Sequence, residues 1–180
     1  MAALLMKNLL KKYKPLLIYD NIITEKDFDK KLDEWLLKMQ DNQQSKNDFI
    51  WSLLNESLFK IAQNSCTEQE LYHNQRDIYL YQFRFLNDES KDISNIQKLI
   101  NQCDLNLANL NRLQMNVILI TNGCCNECQS FDGNKNSLES ELSHSSLPIH
   151  SCSRPQGCIC CYGFEGIRDA NGRLKIKQSY

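Results

Sequence analysis

The chain has 180 residues, 42% hydrophobic and 24% charged, which suits one domain or a modest domain with an appendage and excludes a disordered tail or a large multidomain assembly. Lys+Arg 21 against Asp+Glu 22 leaves a net charge of -1, so no global field draws the chain to nucleic acid or to an anionic bilayer. The anomaly is cysteine: nine in all, of which seven (Cys124, Cys125, Cys128, Cys152, Cys158, Cys160 and Cys161) fall between residues 124 and 161.

Residues Met1 to Lys14 mix Ala2, Ala3, Leu4, Leu5, Leu9 and Leu10 with Lys7, Lys11, Lys12 and Lys14. A secretory signal places its charge before an unbroken apolar run, whereas these lysines interrupt it, so the pattern predicts a short amphipathic helix. No stretch approaches the length of a membrane span. A cytoplasmic location with reduced thiols is therefore expected, and there a cysteine cluster more often binds metal than forms disulfides.

From Thr24 to Met39, Phe28, Leu32, Trp35, Leu36 and Met39 recur at three- and four-residue steps, predicting a helix capped by Thr24. The polar run Asp41 to Lys46 interrupts, and Phe49, Ile50, Leu53, Leu54, Leu58 and Ile61 predict a second helix. Thr67 with Glu70 matches a capping box and predicts the start of a third. The run Ile78 to Leu86 alternates like a strand at Tyr79, Tyr81, Phe83 and Phe85, but its flanks favour helix, and helix is expected. Ile93, Ile96, Ile100, Cys103, Leu107 and Leu110 return at helical steps, with Cys103 as a core residue. Val117 to Ile120 is β-branched-rich and predicts a strand leading into the cysteines. The isolated His73, and Trp35, Trp51 and the Tyr79 to Tyr81 run, are expected to be structural.

Past Gly123 bulky apolar residues are few and Ser, Asn, Gly and Cys are many, so packing alone should not order this segment. Cys125 and Cys128 are separated by two residues, which lets both sulfurs turn toward one ion in a tight knuckle. Twenty-three residues then lead to Cys152, five more to Cys158 and one to Cys160, with Cys161 adjoining. Four thiolates at such spacing point to a tetrahedral Zn2+ site. The expected ligands are Cys125, Cys128, Cys152 and one of Cys158 or Cys160, with Cys161 and His150 as other candidates for closing the tetrahedron. An iron–sulfur cluster could use the same thiolates.

These residues carry a resemblance. The run Cys125-x-x-Cys128, Ser130-Phe131-Asp132-Gly133, Leu147-Pro148-Ile149-His150 and Cys158-x-Cys160 resembles the C-terminal end of phage head morphogenesis proteins of the Mu F type and their bacterial relatives, over residues 115 to 162. In that family a strand enters a Cys-x-x-Cys knuckle followed by Asp-Gly, and a Pro-x-His segment precedes a closing Cys-x-Cys. Ile159 stands where the family commonly has arginine, and Ser151 to Gly157 lengthens the pattern. The resemblance implies a shared zinc module.

The sequence thus predicts a mainly α protein: a helical bundle over residues 1 to 114, then a small zinc-stabilised β-rich module over residues 115 to 180. Asp169 to Arg173 is expected to turn a hairpin between Gly163–Arg168 and Leu174–Gln178. Asp132-Gly133 is expected to be a turn, the Asp bonding backbone ahead and the Gly supplying φ > 0. The functional expectation is a non-enzymatic zinc-binding protein whose C-terminal module contacts a protein partner. One rival is a nucleic-acid-binding module using Arg168, Arg173, Lys175 and Lys177 with Tyr162, Phe164 and Tyr180. The other is a zinc hydrolase using Glu127, Asp132, His144 or His150, which a surplus of thiolates disfavours because catalytic zinc keeps a position for water.

Overall fold

The helical periodicities become five helices in the computed structural model, which describes residues 8–177: α1 Leu9–Tyr19, α2 Glu25–Leu36, α3 Gln43–Asn64, α4 Glu68–Asp88 and α5 Ser94–Leu110. The mainly α expectation is met, with a small antiparallel sheet after the helices. Ala2, Ala3, Leu4, Leu5, Lys7, Gln178 and Tyr180 of the expected features lie outside the described residues.

The described chain divides into two compact units, one ending at Asn64 and one beginning at Ser65. This division differs from the compositional break at residue 114, because α4 and α5 belong with the sheet. In the first unit α1 and α2 pack on α3. Leu9, Tyr13 and Leu17 return every fourth residue on the buried side of α1 and carry the helix past Pro15. Thr24 caps α2, its hydroxyl accepting from the Asp27 N–H at 3.2 Å. Only Phe28 of the expected α2 stripe is fully buried, its ring edge-on to Phe49 at 5.3 Å, while Met39 lies beyond the helix and is exposed. Helix α3 starts inside the polar run because the Asn42 side chain accepts from the Ser45 N–H at 2.9 Å, closing its first turn.

In the second unit Thr67 caps α4 through the Glu70 N–H at 3.1 Å. Glu70 reaches back to the N–H of Cys66, one residue beyond the usual box. The ambiguous run is helical: Ile78, Tyr81, Gln82 and Phe85 are its buried residues, at helical and not alternating spacing. Helix α5 is buried on two sides. Ile100 and Cys103 are in the core as expected, but Leu105 and Ala108 are also buried while Leu110 is exposed, since α5 packs on α4 and also on the C-terminal sheet region. Burial pushes the Cys103 thiol up to about 11, as befits a core side chain.

Strand β1, Met115–Ile120, is the centre of a three-stranded sheet, flanked by β2, Lys135–Ser137, and β3, Cys161–Gly166, both antiparallel to it. Between β1 and β2 lies a one-turn helix, α6 Asn126–Gln129. After β2 the serine-rich stretch forms α7, Leu138–Ser143, capped by Ser137, whose hydroxyl accepts from the Ser140 N–H at 3.1 Å. The expected C-terminal turn is present: Asp169 accepts from the N–H groups of Asn171 and Arg173, and Gly172 takes φ 77. Its return limb pairs at single bridges, Leu174 with Arg168 and Ile176 with Leu113.

Candidate metal centre

The register of β1 and β3 brings the cysteines together. Ile120, the last residue of β1, lies opposite Cys161, the first of β3. The knuckle that leaves β1 and the closing Cys158–Cys160 segment that enters β3 are thereby placed at the same end of the sheet, although more than twenty residues separate them in sequence.

Each half of this end is fixed by its own contacts. Asp132 accepts from the N–H and hydroxyl of Thr121, at 2.9 and 3.0 Å, and so ties the two feet of the knuckle loop together. The expected forward bond of Asp132 is replaced by this clamp, because β1 and the returning chain run side by side there: the Gly133 N–H bonds Leu119 O and the Leu119 N–H bonds Asn134 O. Gly133 has the expected positive φ, at 76. The closing segment is held by α5. Asn101, buried, donates to Cys160 O at 3.2 Å and accepts from Gln97 at 3.1 Å, and the Ile93 N–H bonds Gln156 O at 2.9 Å.

Two groups of four thiols result, one of Cys124, Cys125, Cys128 and Cys152, the other of Cys124, Cys128, Cys158 and Cys160, with the sulfurs of each within 4.8 Å of one another. The sulfurs of Cys124 and Cys152 stand 3.4 Å apart and those of Cys125 and Cys152 3.9 Å apart. Tetrahedral coordination at a Zn–S length of about 2.3 Å places sulfurs about 3.8 Å from one another, so the donor set fits one such ion. A disulfide would need about 2.05 Å, and the six cysteines of these groups are not joined in disulfides.

The expected ligands Cys125, Cys128, Cys152, Cys158 and Cys160 all fall in these groups, but not all in one. Cys124 belongs to both. Sequence reasoning missed it because Cys125 alone completes the two-residue spacing; the doubled cysteine before the knuckle was the available signal. Cys161 and His150 belong to neither group. Adjacent side chains in extended backbone point to opposite sides, so Cys160 goes into the core while Cys161, half-buried, lies on the other side and accepts from Asn122 at 3.3 Å. His150 is exposed.

Electrostatics divide the thiols by depth. Cys125 caps α6, and the N–H of Cys128 aimed at its sulfur from 3.4 Å brings it down to about 7. Burial pushes Cys128, Cys152 and Cys160 upward, so these stay protonated unless a cation compensates them. Cys128, Cys158 and Cys160, exposed by only 0%, 2% and 0%, share a core with Leu105, Val117, Leu119, Leu138, Leu147 and Tyr162.

Beside this core sits a carboxylate that a polar-looking serine stretch concealed. Glu141 is 1% exposed. It accepts from the Ser146 N–H at 2.8 Å, the Ser146 hydroxyl at 2.6 Å, the Tyr162 hydroxyl at 2.6 Å and the Asn136 amide. Burial alone would raise its pKa, but the bonds from Ser146, Tyr162 and Asn136 outweigh that and hold it lowered. Burial, then the Glu141 bond, pushes the Tyr162 phenol upward. The pair ties α7 to β3.

Two of the side chains weighed for hydrolysis have other duties: Glu127 accepts from Ser153 at 2.8 Å, and Asp132 is the knuckle clamp. Of the hairpin cations, Arg168 donates to Gly172 O at 2.7 Å and Lys177 to Asn109 O at 2.7 Å. On the same unit a shallow concavity is lined by Leu107, Leu110, Met115 and Phe164, with His73 and Arg112 at its polar side. Among the described residues no helix is long and apolar enough to cross a membrane. Comparison of the chain with protein-family models, curated proteins and solved structures found no match.

Proposed function

We propose that this chain is a non-enzymatic zinc-binding protein in which the ion organises the C-terminal module into a surface for a protein partner. The observation that carries the reading is the convergence of Cys124, Cys125, Cys128 and Cys152 at sulfur spacings of 3.4 and 3.9 Å, matching those around one tetrahedral zinc. An all-sulfur shell closes the ion to water and so suits a structural and not a hydrolytic site. Four thiolates around an iron–sulfur cluster bind different irons and do not all come as close to one another as these, which lie mutually within 4.8 Å. The likeness of residues 115 to 162 to phage head morphogenesis proteins of the Mu F type points to the same zinc module.

Native mass spectrometry of the full chain, purified under reducing conditions, tests the reading. Zinc retained on the folded chain and removed by a chelator is the expected result; a folded chain that carries no metal after incubation with zinc overturns it.

A further inference from the structure

We propose that the thiols of Cys124, Cys125, Cys128, Cys152, Cys158 and Cys160 hold two metal ions, with Cys124 and Cys128 shared between them. This rests on the zinc-binding reading and deepens it. The two groups of four thiols are not separate sites: they have Cys124 and Cys128 in common, and each is complete on the same criterion of mutual sulfur distance. Two tetrahedra that share two corners are joined along an edge, and six ligands then serve two four-coordinate ions.

The chemistry permits the sharing. A thiolate bound to one ion keeps further lone pairs and can bind a second, whereas an imidazole nitrogen has only one; both shared positions are cysteine. The charge balance is also favourable. One divalent ion with four thiolates carries a net charge of about 2-, and adding a second divalent ion with two more thiolates leaves that total unchanged, so the larger cluster adds no residual charge to a buried place. A single ion leaves two thiols of the six over. If it takes the group with Cys125 and Cys152, the thiols left are Cys158 and Cys160, both buried.

The fold supplies each half independently. The knuckle after β1 provides Cys124, Cys125 and Cys128. The segment held by Asn101 of α5 provides Cys158 and Cys160, and Cys152 comes from the loop between. The shared pair lies where these parts meet.

The test is loading of the reduced full chain with zinc, then with isotopically enriched cadmium as a thiophilic substitute, read by native mass spectrometry and by cadmium NMR. The expected result is two ions per chain and two cadmium resonances split by each other, because spin coupling passes through a shared sulfur. Two uncoupled resonances overturn the sharing. One ion per chain overturns the binuclear cluster and leaves the zinc-binding reading standing. No ion, or iron with inorganic sulfide, overturns both. The variants C125S and C158S each remove a ligand from one group only, and each is expected to lower the count from two ions to one. A count of two that either substitution leaves unchanged overturns the proposal without relying on the more disruptive loss of a shared cysteine.

Discussion

The two compact units solve the same problem with different materials. Up to Asn64 the chain contains no cysteine, and its interior is mainly carbon: Leu9, Tyr13, Leu17, Phe28, Phe49, Ile50, Leu53 and Leu54, with Ser45, Asn47 and Ser57 as its buried polar residues. From Ser65 onward the interior includes Cys103, Cys128, Cys158 and Cys160 together with buried Gln82, Gln97, Asn101, Thr121 and Glu141. A carbon interior is stabilised mainly by contact area and tolerates its neighbours' small adjustments. One built from sulfur and polar groups depends on specific partners, because each unpaired group there costs as much as the bond it lost. The first unit should therefore be insensitive to metal, and the sheet end of the second should depend on it.

The largest expected effect breaks that comparison directly. A chelator added to the reduced full chain should lower amide protection across β1, the knuckle and β3 by at least about a thousandfold, about 4 kcal/mol and under half of the ~10–16 kcal/mol that structural zinc gives to zinc-finger peptides. Amides of α3 should keep their protection. Hydrogen exchange read by mass spectrometry checks both; equal loss in the two units would mean the comparison is wrong.

Next comes the converse. Leu54 is fully buried in α3, and Leu54→Ala should destabilise the first unit by about 2–5 kcal/mol through lost burial and the cavity left behind. Metal content should be unchanged. Denaturant unfolding alongside metal analysis gives the answer.

Glu141 sharpens the picture within the second unit. Glu141→Gln offers an amide N–H where an acceptor is needed and should cost about 1–3 kcal/mol by denaturant unfolding. The pH dependence has a definite sign. The lowered pKa of Glu141 gives stability that is fully present above its ordinary value of 4.5 and is lost as pH falls through the lowered value. The raised pKa of Tyr162 gives stability present below 10.0 and lost as pH rises toward its raised value. Stability curves of wild type and Glu141→Gln should converge at low pH.

An effect of similar size concerns the residue before Cys158. Gly157 has φ 96, and an added Cβ would lie 2.1 Å from the Ser94 hydroxyl oxygen and 2.7 Å from an Asp92 carboxylate oxygen. Gly157→Ala should cost about 1–3 kcal/mol and weaken zinc retention in a competition with a chelating dye.

Local signals were legible wherever one turn of chain carries the information. Thr24 and Thr67 cap the helices they were expected to cap, and the 78–86 run resolves to helix because Ile78, Gln82 and Phe85 share its buried side. The cysteines were legible as a set close enough to hold a metal, since thiol spacing in a knuckle is itself local. The role of Asp132 was not, because its partner, Thr121, lies eleven residues back and is adjacent only once β1 is paired.

Sequence by itself determined that helices come first, that a strand runs into the sulfurs, and that those sulfurs suit a tetrahedral ion, because periodicity, capping and ligand spacing are properties of short segments. Only the tertiary structure decided that Cys124 counts and Cys161 does not, that the thiols form two overlapping groups, and that Glu141 is internal. Each of these depends on the antiparallel pairing of β1 with β3 and the packing of α5 and α7 against them, and contacts made across forty residues leave no mark on the order of the amino acids between.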